Sequence, residues 1–145
     1  MKLVIQRVKN ASVEVDNKVV GKIEKGFLVL IGIKVGDTKQ QADYLVKKVC
    51  NLRVFEDENQ KMNLNLKDVG GKLLIVSQFT LYGNCNDGNR PSFIEAARPE
   101  EAIPLYEYLC EECAKNGIEV QRGIFGADMK VQLLNDGPVT IVMER

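Results

Sequence analysis

Two apolar runs, each ending abruptly in a polar hexapeptide, constrain this chain more than any other feature. Leu73-Leu74-Ile75-Val76 leads into Ser77-Gln78-Phe79-Thr80-Leu81-Tyr82. The stretch from Met129 to Leu134 leads into Asn135-Asp136-Gly137-Pro138-Val139-Thr140. Short apolar runs bounded by turn residues read as buried strands. Polar groups at the end of a buried strand are held rigidly and can face a cleft. Gly137 tolerates dihedrals closed to other residues, and an X–Pro bond adopts the cis form at modest cost. On the residues alone, the first hexapeptide is a polar strand end. The second is a tight strand-to-strand turn.

The rest of the chain supplies the partners for those strands. Residues 2–8, 12–15, 19–23 and 27–33 read as four early strands with short connections, an antiparallel meander. Thr38-x-x-Gln41 has the form of a capping box. Behind it, Ala42, Leu45, Val46, Val49 and Leu52 fall on one stripe of a helix over 38–52. Residues 56–71 are polar and read as a loop or short hairpin, and Gly83 to Ser92 as a loop. A second helix over 100–115 turns Ala102, Leu105, Tyr106, Leu109 and Cys113 inward, and Asn116-Gly117 stops it. Strands near 118–122, 128–134 and 138–144 close the chain. The expected class is α+β: mostly antiparallel sheet with two helices packed on one face, as a single domain over 1–145.

Composition removes several functions. The chain has 145 residues, enough to bury about two-thirds of its unfolded surface. Its 20 basic and 20 acidic residues cancel, which argues against salt-driven RNA binding as the main task. A site that grips one end of an RNA needs only a local basic patch and a pocket. The longest apolar stretch, Phe27 to Ile33, is too short to span a bilayer, and residues 1–7 carry no signal-peptide core. A cytoplasmic protein with no membrane association is expected. There is no histidine, which excludes Ser-His-Asp and Cys-His catalysis and histidine-ligated zinc. Cys110-x-x-Cys113 lacks a second pair, so these cysteines, with Cys50 and Cys85, read as core or helix-surface thiols. No metal and no cofactor are expected.

The two hexapeptides, taken with Ile5-Gln6-Arg7-Val8, Ala11-Ser12-Val13, Asn51-Leu52-Arg53, Phe55-Glu56-Asp57, Lys61-Met62-Asn63, Arg90-Pro91-Ser92-Phe93 and Phe125-Gly126-Ala127-Asp128-Met129, resemble the D-aminoacyl-tRNA deacylases (the D-tyrosyl-tRNA deacylase family). The pattern runs in order along essentially the whole chain. It implies hydrolysis of the ester of D-aminoacyl-tRNA, with the aminoacyl-tRNA 3′ end as partner. Ser77, Gln78, Phe79 and Thr80 carry over as the segment that arranges the ester. Phe125, Gly126, Ala127 and Met129 carry over as the pocket for the terminal adenosine, and Arg7 as the anchor of the Gly-Pro segment beside Asn135. The resemblance further implies a homodimer. In it a cis Gly137–Pro138 step enters the active site of the partner subunit, where its carbonyls hold the α-amino group and block an L side chain. Ten-thousand-fold discrimination corresponds to about 5.5 kcal/mol, which a rigid wall can supply. Glycine has no Cβ to reject, so glycyl-tRNA mischarged on tRNA-Ala is an expected further substrate.

The residues themselves suit an ester hydrolase without a strong base. An aminoacyl ester is already reactive toward water, so positioning and oxyanion stabilisation suffice. The N–H groups of Phe79 and Thr80 are candidate oxyanion donors. No base adjoins Thr80 in the sequence to make it a nucleophile, and the resemblance assigns the assisting hydroxyl to the terminal ribose of the tRNA. Two other functions fit parts of the pattern: a noncatalytic tRNA-end-binding module of the same fold, and a small thiol enzyme built on Cys110 and Cys113.

Overall fold

The computed structural model describes all residues, 1–145. Its elements run β1 (Lys2–Val15), β2 (Lys18–Ile23), β3 (Gly26–Gly32), α1 (Lys39–Cys50), β4 (Phe55–Glu56), β5 (Met62–Leu64), β6 (Lys72–Ser77), a 3-10 turn (Phe79–Tyr82), α2 (Pro99–Lys115), β7 (Val120–Arg122) and β8 (Lys130–Glu144). The class is α+β, as the periodicity implies. The main sheet follows the order β2-β1-β3-β6-β7, with β8 on β1. β1 runs antiparallel to β2, β3 and β8, whereas β3–β6 and β6–β7 are parallel. β4 and β5 form a separate short hairpin within the polar stretch.

Two pairs of expected strands are single long strands. Residues 2–8 and 12–15 belong to the one strand β1, so the early meander has three strands and not four. Residues 128–134 and 138–144 likewise fall in β8, and Gly137-Pro138 is not a turn between strands. The reason is visible in the pairing. From Gln6 to Val8, β1 advances two residues while its partner β8 runs from Thr140 to Asn135. The surplus, Asp136 to Val139, bulges out of a ladder that continues on both sides. Turn-forming composition here marks a bulge because β1 supplies one continuous partner.

Strands β3 and β6 are buried on both faces, and period-2 alternation splits their side chains between two cores. Phe27, Val29, Ile31, Leu73 and Ile75 face the larger core, under α1 and α2. Leu28, Leu74 and Val76 face a smaller one with Val8, Ala11, Val13 and Ile23, from the far half of β1 and from β2. α1 begins with the expected capping box: Gln40 N donates to Thr38 Oγ1 (3.2 Å) and Thr38 N to Gln41 Oε1 (2.8 Å). α2 buries Ala102, Tyr106, Leu109, Cys110 and Cys113. No helix is long and apolar enough to cross a membrane.

Candidate functional site

Strand β6 ends at Ser77, and the chain then winds into the 3-10 turn. Gln78 N donates to the Ile31 carbonyl at 2.8 Å, which ties this end to β3. Gly32 lets the turn sit close: a Cβ there would lie 3.1 Å from Leu81 Cβ and 3.2 Å from the Gln78 carbonyl oxygen. Across from it runs the segment before β8. Together they line a cavity of about 270 Å³, with Ser77, Gln78 and Phe79 on one side and Phe125, Gly126, Ala127 and Met129 on the other. Tyr106 supports both sides. Its hydroxyl donates to the Ile75 carbonyl (2.8 Å), and its ring meets Phe125 edge-on with centroids 5.9 Å apart. Gly123 leaves room for Met129, whose sulfur would lie 2.6 Å from a Cβ at that position. Neither Gly32 nor Gly123 is marked by sequence pattern, because each serves a contact made across strands distant in the chain.

Phe79 is 55% exposed in this cavity wall and packs edge-on against Phe93. Thr80 is exposed and outside the lining; its Oγ1 takes a hydrogen bond from Gln78 Nε2. Phe79 and Thr80 are the first two residues of the 3-10 turn, and N–H groups at a helix start have no acceptor within it. Gln78 supplies no side-chain cap.

Gly137 and Pro138 lie elsewhere. Both are exposed, Gly137 has φ +129°, and the peptide between them is cis. Arg7, only 6% exposed, reaches under the bulge. Its Nε donates to the Asp136 carbonyl (2.9 Å) and its Nη1 to the Val54 carbonyl (2.5 Å). Asn135 closes the base: Val139 N donates to Asn135 Oδ1 (3.1 Å), and Asn135 Nδ2 to Thr140 Oγ1 (3.0 Å). Gly137 and Arg7 line a second cavity with Phe55, Glu56 and Asp136, which shares no residue with the first. One chain therefore brings the Ser77 and Phe125 segments together and leaves the Gly-Pro segment outside that cavity.

A family model described as D-Tyr-tRNA(Tyr) deacylase matches residues 4–144. The chain belongs to this deacylase family. It is 59% identical over 144 residues to the D-aminoacyl-tRNA deacylase of Geotalea uraniireducens (strain Rf4), covering 99% of this chain and 93% of that one. It is 60% identical to the enzyme of the same description from Fusobacterium nucleatum subsp. nucleatum, covering 99% and 95%. Among solved structures, one described as c-Myc DNA Unwinding Element Binding Protein is 41% identical with a TM-score of 0.93, covering 100% of this chain and 99% of that one. A second, a probable eukaryotic D-amino acid tRNA deacylase, is 17% identical with a TM-score of 0.83 over 98% and 97%, and shares the deacylase fold.

The cysteines do not line the cavity between Ser77–Phe79 and Phe125–Met129. Cys50, Cys110 and Cys113 are buried between the helices and the sheet, and burial pushes the Cys110 thiol up to about 11. Cys110 and Cys113 have no solvent exposure, so this pair offers a substrate no accessible thiolate, which counts against the thiol-enzyme reading.

Proposed function

We infer that the chain hydrolyses the ester bond of D-aminoacyl-tRNA and releases the free D-amino acid and tRNA. Family membership supports the reaction. The observation that carries the mechanism is the cavity between Ser77–Phe79 and Phe125–Met129, which adjoins a 3-10 turn and whose one carboxylate, Asp128, is exposed and paired with Lys130. Phe125, Gly126, Ala127 and Met129 receive the terminal adenosine, and Ser77 and Gln78 orient the ester. The N–H groups of Phe79 and Thr80 stabilise the oxyanion. The 2′ or 3′ hydroxyl of the terminal ribose assists the attack of water.

The enzyme acts as a homodimer in the cytoplasm, and Gly137-Pro138 of one subunit enters the cavity of the other. Two features support this arrangement. The segment is exposed and stands outside its own chain's cavity, yet a buried arginine holds it in one position. The outer edge of β8 has no partner strand. β8 also exposes Val131, Leu134 and Val142, and long open edges of this kind are normally covered. Within the dimer the bulge rejects L side chains by steric exclusion and admits glycine, so glycyl-tRNA mischarged on tRNA-Ala is hydrolysed as well.

The decisive experiment is deacylation of matched D- and L-aminoacyl-tRNA at equal concentration. Rapid release from the D ester alone is expected. Binding of both without release would identify a tRNA-end-binding module. No three His, Cys, Asp or Glu side chains cluster as a metal site. Dialysis against EDTA is therefore expected to leave the deacylation rate unchanged. A rate lost on chelation and restored by zinc would refute this account of the site.

A further inference from the structure

The net charge of zero hides a segregation. α2 carries Glu100, Glu101, Glu107, Glu111 and Glu112, whereas the end of α1 carries Lys47 and Lys48, followed by Arg53. These three cations line a groove of about 370 Å³ with Asn51, Leu52 and Met143, and no carboxylate is among the lining residues. None of the three cations forms an ion pair. The lysines are not needed to finish the helix. Asn51 already donates its side-chain amide to the Lys47 carbonyl (2.8 Å) and its backbone N–H to the Val49 carbonyl.

Arg53 is fixed in place. Its Nε donates to the Asn63 carbonyl (2.8 Å) and its Nη2 to Asn63 Oδ1 (3.0 Å), while Asn63 Nδ2 donates to Asp57 Oδ2 (2.8 Å). Arg53 Nη1 is left without a protein acceptor. A held guanidinium with a free donor, beside two ammonium groups that have no carboxylate partner (Lys48 lies over the Tyr44 ring, 5.5 Å from its centroid), matches successive phosphates of a nucleic-acid backbone. The next residue, Val54, accepts from Arg7, which in turn holds the Gly137 bulge through Asp136.

We propose that Lys47, Lys48 and Arg53 grip backbone phosphates of the tRNA acceptor arm, on the subunit opposite the one that holds the 3′ adenosine. This rests on the reading of the chain as a cross-subunit deacylase. In that dimer the bulge reaches the partner's cavity, and the groove is tied to the bulge through Val54 and Arg7, which sets it beside a tRNA whose 3′ end enters that cavity.

The test compares two substrates: full-length D-tyrosyl-tRNA, and the D-tyrosyl ester of adenosine, which has no backbone to grip. For the triple variant Lys47→Ala/Lys48→Ala/Arg53→Ala, KM for the tRNA is expected to rise about tenfold at low salt, with kcat unchanged. The slope of log KM against log salt should fall by about 2–3, in line with three lost contacts. Hydrolysis of the adenosine ester should be unaffected. The double variant Lys47→Ala/Lys48→Ala leaves the Arg53–Asn63 bonds intact and should show about two-thirds of the slope change. Equal effects on both substrates, or a lowered melting temperature with tRNA kinetics unchanged, would overturn the proposal. Binding of uncharged tRNA, measured alongside by fluorescence anisotropy, separates this inference from the one it rests on. A wild-type protein that hydrolyses neither ester but loses salt-sensitive binding in the variants refutes the activity and supports the groove.

Discussion

Gly137→Ala is expected to lower kcat/KM for D-aminoacyl-tRNA at least about 100-fold, a loss of about 2.7 kcal/mol. At φ +129° an L residue is strained, and a Cβ would lie 2.9 Å from Arg7 Nη2 and 2.9 Å from Val139 Cγ2. Arg7 cannot yield easily, because it is buried and the rest of its guanidinium is held, Nε by the Asp136 carbonyl and Nη1 by the Val54 carbonyl. The bulge must therefore move, and with it the proposed wall against L side chains. The D-to-L ratio of kcat/KM should fall along with the D rate. A melting temperature lowered without a change in that ratio would limit Gly137 to a structural role. Mixed dimers provide a second measurement. Ala127→Trp fills the cavity, so a dimer that pairs it with Gly137→Ala has one site with both defects and one with neither. Co-refolding the two inactive chains in equal amounts should restore about a quarter of the wild-type rate, the share of intact sites under random two-fold pairing. No recovery would place the wall and the cavity in the same chain.

The parts of this fold that are legible in the sequence depend on local physics. The stripe of α1, the capping box at Thr38 and the inward face of α2 each follow from contacts within a few residues. The buried strands β3 and β6 are legible as apolar runs, yet their division between two cores is not, because it depends on β1 and β2 folding over the far face. The same cause hides the continuity of β1 and β8. A bulge of Asp136 to Val139 and a hairpin turn share a composition, and only the partner strand distinguishes them. At the site, Ser77, Gln78 and Phe79 meet Phe125 to Met129 although some fifty residues separate them. That meeting is implied by the family resemblance and not by any spacing. The glycines at 32 and 123 have no sequence signature, since what each accommodates is a neighbour brought up by the fold.

Removing the hydroxyl of the terminal ribose that adjoins the ester is expected to cost at least about 100-fold in kcat, whereas Thr80→Ala should cost less than about tenfold. Thr80 has no group to remove its proton. Its Oγ1 is paired with the Gln78 amide, which is not a base, and there is no histidine in the chain. It also lies outside the cavity lining. The ester, by contrast, lies beside a hydroxyl on its own ribose wherever the tRNA binds, at an effective concentration no side chain placed outside the cavity can match. The backbone N–H groups of Phe79 and Thr80 survive the side-chain change, so oxyanion stabilisation should persist in the variant. Single-turnover rates with deoxy-terminated and normal D-aminoacyl-tRNA, each against wild type and Thr80→Ala, give the four values needed. If the two losses multiply in the double perturbation, the hydroxyl and Thr80 act independently; if they do not, Thr80 orients that hydroxyl. An acyl group trapped on Thr80 and detected by mass spectrometry would replace this scheme with covalent catalysis. So would complete inactivity of Thr80→Ala with folding and tRNA binding unchanged.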